Sequence, residues 1–167
     1  MLDRIVLDGF VWQSTVYDKQ GNIVDQWEEH NLIPNEGVAF LMRSPFGDAQ
    51  PVSNFYCGIF KGNYLPTAAS KATDIPNIGE VTSYQEVSRP LWNKVFDGSN
   101  TFSNSSNPAI FTFTEEQTIN GYFLVSSDIK GSSNGILLSI ARLSTPKTVS
   151  EELKVKTRLS YLSGTSL

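Results

Sequence analysis

The sequence predicts an all-β protein: a two-sheet antiparallel sandwich, jelly-roll-like, with one short helix and long loops. Three observations carry that prediction. Polar turn clusters cut the 167-residue chain into short runs rich in Val, Ile, Phe, Tyr and Thr, the punctuation of strands and hairpins. The run from Leu153 to Tyr161 alternates, with Leu153, Val155, Thr157, Leu159 and Tyr161 on one face and Lys154, Lys156 and Arg158 on the other, as in an antiparallel strand with one wet face. Counting all such runs gives about eight strands, the number in a jelly roll, with no fixed-period repeat to indicate a propeller or solenoid. Length fits one domain: residues 1–8 as an arm or edge strand, 9–162 as the sandwich and 163–167 as a tail.

In chain order, Phe10–Tyr17 and Asn22–His30 flank Asp18-Lys19-Gln20-Gly21, a short Gly-ended loop between β-prone runs and therefore a hairpin. A helix starts at Pro34 or Asn35, places Val38, Leu41 and Met42 at helical spacing, and stops at Ser44-Pro45. It is expected to cap one end of a sheet. Further strands are expected at Phe55–Phe60, Pro90–Phe96, Ala109–Thr114, Thr118–Ser126, Ile136–Leu143 and Leu153–Leu162. Two stretches lack strand rhythm. Asn63–Glu80 contains Pro66, Pro76 and Gly79, and Asp97–Pro108 is Ser, Asn, Gly and Thr around Phe102. Long irregular loops inside a compact domain are usually either functional or disordered.

Composition removes several functions. Lys and Arg number 13 against 17 Asp and Glu, a net charge of −4, which argues against nucleic acid, whose backbone needs a positive face. A single cysteine, Cys57, and a single histidine, His30, exclude an internal disulfide framework, any Cys-rich zinc site and any zinc site built on two or three imidazoles of one chain. Cys57, among Phe55, Tyr56, Ile59 and Phe60, reads as a small buried hydrophobe. No basic-then-apolar leader and no 18-residue apolar run is present, so a membrane partner is not expected and synthesis in a reducing cytoplasm is. Asn104-Ser105-Ser106 matches a glycosylation sequon but reads as polar loop without a secretion signal.

Catalytic patterns fail on context. Gly131-Ser132-Ser133-Asn134-Gly135 matches G-x-S-x-G, yet it lies between two β-prone runs with no later His, so it reads as a hairpin turn. Glu28-Glu29, Glu115-Glu116 and Glu151-Glu152 are adjacent carboxylates; neighbours on a strand face opposite sides, so no pair builds a glycosidase cleft alone. No catalytic residue, cofactor site or metal site is expected. Trp12, Trp27 and Trp92 sit within strand-like runs and read as packing residues. Tyr64, in a Gly-Asn-Tyr-Leu-Pro loop, is expected to be exposed, which makes Tyr64 and Leu65 candidates for a protein or sugar contact. Leu2, Ile5 and Leu7 in the N-terminal segment and Phe102 in the second loop complete the candidate interface. Arg89 beside Pro90 reads as fixing a bend by bonding nearby carbonyls.

Several blocks together resemble a family of small virion proteins of tailed bacteriophages. They are Glu29-His30-Asn31-Leu32-Ile33-Pro34-Asn35-Glu36-Gly37, Phe55-Tyr56-Cys57-Gly58-Ile59-Phe60-Lys61-Gly62-Asn63-Tyr64-Leu65-Pro66-Thr67, Ser88-Arg89-Pro90-Leu91-Trp92, Ile119-Asn120-Gly121-Tyr122-Phe123-Leu124-Val125-Ser126 and Gly135-Ile136-Leu137-Leu138-Ser139. The resemblance runs from about Trp12 to Leu159 and consists of strand–turn units, not catalytic signatures. It implies a capsid cement or decoration protein of short-tailed phages: a non-enzymatic virion component on the outside of the head, made in the host bacterial cytoplasm, partnered by the major capsid protein and acting as a homo-oligomer, dimer or trimer. A neck or tail component such as a fibre adaptor, and a receptor- or carbohydrate-binding module, are the alternatives.

Overall fold

Strands make up 44% and helices 10% of the structure, a computed structural model that describes residues 4–164, with side chains described over 9–160. The strands are β1 (Arg4–Tyr17), β2 (Ile23–His30), β3 (Tyr56–Phe60), β4 (Val95–Phe96), β5 (Thr101–Ser103), β6 (Ala109–Thr112), β7 (Gln117–Val125), β8 (Leu137–Val149) and β9 (Glu152–Gly164). One α-helix, α1 (Asn35–Arg43), follows β2, and a 3-10 helix spans Ala72–Asn77. The fold is an all-β two-sheet antiparallel sandwich. Among the described residues nine strands divide into a six-stranded sheet, β2-β1-β9-β5-β4 with β6 also on β9, and a three-stranded sheet, β3-β7-β8. Among the described residues that is one strand more than the sequence count.

The large sheet follows period two apart from Val11, which is buried along with its neighbours Phe10 and Trp12. Phe10, Trp12 and Val16 of β1 and Leu153 and Val155 of β9 turn inward, where they meet Cys57, Ile59, Tyr122 and Leu124 of the small sheet. Trp12 stacks on Tyr122 across the sandwich at 5.3 Å. The Tyr122 hydroxyl accepts hydrogen bonds from Ser14 Oγ (2.7 Å) and Trp27 Nε1 (2.9 Å), so its polar end is satisfied inside the core. Outward positions such as Gln13 and Glu28 pair across the wet face at 2.8 Å.

The small sheet does not alternate between wet and dry. All of Gly121–Val125 is buried, as is Leu137–Ala141, so both faces are covered, the condition that produces continuous apolar runs. The inner face meets the large sheet. On the outer face, Phe60, Phe123, Val125 and Ile140 pack against Ala72, Ile75 and Ile78. Two glycines permit this layer. Gly58 stands opposite Phe123 and Gly121 opposite Phe60, and a Cβ on either glycine would run into the facing ring, a cross-strand arrangement in which an aromatic fills a glycine's space.

Residues 63–80, expected to be an irregular loop, therefore form the cover of the small sheet. The segment returns along the free edge of β3: Lys61 N donates to Gly79 O, Gly62 N to Ile78 O and Val81 N to Ile59 O. Glu36 of α1 ties the cover to β8, accepting Ala72 N at 2.9 Å and Leu137 N at 2.6 Å with one carboxylate oxygen. The expected strand at Pro90–Phe96 reduces to a bridge between Leu91 and Tyr56, followed by β4, because Pro90 lacks the N–H a ladder requires.

Candidate interaction surface

An apolar groove of about 180 Å³ opens between α1, the 52–55 segment and the β4–β5 hairpin. Phe40 and Leu41 come from α1, Val52 and Phe55 from the following loop, Trp92 from the stretch before β4, and Phe102 from β5. Phe40 meets Phe55 edge to face at 5.6 Å, and Phe10 meets Trp92 in the same way, so the floor is continuous with the core. Lys94 is pinned across it: Nζ donates to Ser53 O at 2.6 Å and lies 5.8 Å from the Trp92 ring centre.

The rim is where the apolar surface leaves the protein. Phe102 and Phe96 pair across the hairpin at 4.9 Å, with 39% and 46% of their surfaces exposed, and Val95 is exposed beside them. Phe46, two residues beyond the groove residue Ser44, is 79% exposed. Large exposed rings beside an apolar cleft are the composition of interaction surfaces rather than of wet sheet faces.

Hydrogen bonding within the hairpin fixes these rings. Asp97 Oδ1 accepts the N–H groups of Ser99, Asn100 and Thr101 at 2.8, 3.0 and 3.1 Å, and Gly98 adopts φ +84, a value glycine tolerates best. Hydrogen bonds from the Ser99 and Thr101 N–H groups hold the Asp97 carboxyl below the ordinary aspartate value. Asn104 then anchors the hairpin's far side. It is fully buried; its Nδ2 donates to Val155 O (3.2 Å) and its Oδ1 accepts Thr157 N (2.6 Å). One amide thus substitutes for a ladder residue on β9 between β5 and β6. The sequon reading of a polar loop is corrected at this position, since the Asn104 side chain is core.

The candidate interface residues do not converge. Phe102 lines the groove. Tyr64, expected to be exposed, is half-buried against Phe60, with its hydroxyl 2.7 Å from Ser70 Oγ; it belongs to the cover of the small sheet. Leu65 beside it is 68% exposed. Ile5 and Leu7 are residues of β1, paired in register with Ser163 and Tyr161 of β9, so the segment expected as arm or edge strand is strand from Arg4 onward. Leu2 lies outside the described residues. Sequence reasoning missed Phe96, Phe46 and the α1 side of the groove; the Asp97-Gly98 dipeptide between Val95-Phe96 and Thr101-Phe102 was the available signal for the hairpin.

Other candidate chemistry resolves into structure. Arg89 is buried and makes two 2.8 Å bonds to the Glu80 carboxylate, with further bonds to Ser127 O and Ser132 O. It does bond carbonyls, and its main partner is a buried carboxylate. Trp12 and Trp92 are buried and Trp27 is half-buried, leaving none as a flat sugar platform. Gly131–Gly135 lies in the connection between the paired strands β7 and β8. Glu28 and Glu29 take opposite faces, Glu28 bonding Gln13 and Glu29 bonding Ser144. Burial pushes the Cys57 thiol far above its ordinary range, the opposite of an activated nucleophile. Among the described residues no group of three potential metal ligands converges. No known protein family, curated protein or solved structure matches this chain.

Proposed function

We propose that the chain is a non-enzymatic structural protein of a phage virion that binds the outer surface of the capsid and stabilises it, with the major capsid protein as partner. The observation that carries the reading is the groove formed by Phe40, Phe55, Trp92 and Phe102 together with the exposed Phe96–Phe102 pair. These give a rigid sandwich one apolar contact surface held by core packing and an Asp97-capped turn. The strand–turn blocks that resemble small phage virion proteins supply the class of partner. The net charge of −4 suits a position outside the shell, away from packaged DNA. A subunit that engages a lattice at several equivalent points gains through multivalency, so each contact can be modest.

Quantitative mass spectrometry of virions carrying this chain tests the proposal. Cement predicts a copy number at a simple lattice fraction of the major capsid protein. A copy number matching a single small ring would move the protein to the neck or tail, and absence from purified virions would end the virion reading.

A further inference from the structure

The chain contains two Asn-Gly dipeptides, Asn120-Gly121 and Asn134-Gly135. In both, the backbone nitrogen after the asparagine belongs to a residue without a side chain, so nothing crowds its approach to the asparagine Cγ. The fold treats the two oppositely. Asn120 and Gly121 lie within β7, where Gly121 is paired with Phe60 of β3 and with Arg142 of β8. Asn120 Nδ2 donates to Lys61 O at 2.7 Å and to Gly62 O at 3.3 Å, so backbone and amide are both held. Asn134 and Gly135 are exposed, in the connection between β7 and β8. Among the described residues no hydrogen bond holds the Asn134 side chain, and the Gly135 N–H donates none.

The surroundings of this loop give a change there a consequence. Gly135 takes φ +104, open in practice to glycine, and a Cβ on it would meet Ser126 Oγ at 2.9 Å. Ile136 is tied to Ser126 twice, Ile136 N donating to Ser126 Oγ at 2.8 Å and Ser126 N to Ile136 O at 3.1 Å. On the other side, Asn134 N donates to Ser132 Oγ at 3.0 Å. Ser132 O accepts Arg89 Nη2 at 3.0 Å, and Gly131 N donates to Glu80 Oε2 at 2.7 Å. Because the downstream side is fixed, any lengthening of the backbone at 134–135 falls on Gly131–Ser133, the stretch that helps hold the buried Arg89–Glu80 pair.

We propose that Asn134-Gly135 is a self-modifying site: Asn134 converts spontaneously to isoaspartate, with water as the co-reactant, and the change loosens the Arg89–Glu80 anchor. Gly135 N attacks Asn134 Cγ, its proton passing through water to the departing nitrogen. The new C–N bond closes a succinimide as the Cγ–Nδ2 bond breaks and ammonia leaves. One water then adds to either ring carbonyl. Opening at Cγ gives aspartate. Opening at the main-chain carbonyl carbon gives isoaspartate, whose backbone runs through Cβ and Cγ and is one methylene longer. Either product adds a negative charge to a chain of net charge −4. The inference is independent of the virion reading, because it needs only the folded chain and water.

Incubation of the full chain in mildly alkaline buffer, followed by peptide mapping and labelling with an isoaspartyl methyltransferase, tests it. Asn134 should lose its amide at least about ten-fold faster than Asn120, which reacts only after local opening, and isoaspartate should be the main product. In denaturing urea the two sites should react at similar rates, because the fold is what separates them. N134Q should leave the folded protein unlabelled. Aged protein should unfold at lower urea than fresh protein, whereas freshly prepared N134D, which adds the charge without lengthening the backbone, should unfold with the fresh protein. Equal rates at the two sites in the folded chain, modification of Asn120 first, or aspartate formed without isoaspartate would overturn the site. Aged, isoaspartate-bearing protein that unfolds with the fresh protein would overturn its coupling to Arg89.

Discussion

Residues 63–80 and 97–108 look alike in sequence, both irregular and both interrupting the strand rhythm, yet they serve different purposes. The first buries Ala72, Ile75 and Ile78 on the outer face of the small sheet and rejoins the edge of β3 through backbone hydrogen bonds. The second spends one residue, Asn104, on the core and leaves Phe102, paired with Phe96 just before the loop, partly exposed on a short hairpin. The difference lies in what each loop faces. The small sheet has no wet side and needs a cover, whereas the hairpin extends an edge of a sheet whose outer face is already polar. An irregular loop is a candidate for function only after the apolar faces beneath it have been accounted for.

Substitutions that separate the two loops should rank accordingly. The largest loss is expected at the anchor of the cover. Arg89→Met leaves the Glu80 carboxylate buried without its cation, and removal of one partner of such a pair costs about 3–5 kcal/mol; urea denaturation should read this, and adding Glu80→Met should recover part of it. Next comes Ile75→Ala, fully buried beneath the cover, where truncation of a core aliphatic costs about 2–5 kcal/mol. If the cover were dispensable, both variants would melt with the unmodified protein.

On the second loop, Asn104→Ala should cost about 1–3 kcal/mol, because Val155 O and Thr157 N lose their buried partner. Phe102→Ser should change stability by less than about 1 kcal/mol, being partly exposed, yet it should abolish capsid association in a co-sedimentation assay. Equal loss of stability at Phe102 and Ile75 would erase the distinction between the loops. The smallest effect is a pH dependence of the hairpin. The folded Asp97 carboxyl titrates below its ordinary value of 3.8. Its three N–H bonds are therefore fully in force above that value and are lost as pH falls through the lower, folded one. Amide shifts of Ser99–Thr101 should move in this acid range and stay constant above it.

Much of the architecture was legible. The β1–β2 hairpin, α1 and the strands β3, β6, β7 and β9 follow from turn residues, caps and period two, and the double burial of the small sheet is written in Gly121–Val125 and Leu137–Ala141. The second half of β8 was not, because Ser144, Thr145, Pro146 and Lys147 carry no strand pattern. The register passes from Ile119↔Lys147 to Gly121↔Arg142, so residues 143–146 bulge from the ladder, and Pro146 is tolerated on this edge strand. The groove was legible only at Phe102. Its other walls come from α1, residues 52–55 and Trp92, which are separated in sequence and meet only through tertiary packing.

Hydrogen–deuterium exchange on the intact chain compares the two loops most directly. Amides of Ile78 and Val81, donors in the cover's bonds to Asp74 and Ile59, should exchange with the slow core of β3 and β7, while those of Ser99–Thr101 should exchange orders of magnitude faster. Cover amides exchanging as fast as the hairpin would contradict the assignment of residues 63–80 to structure and return them to the candidate binding surface.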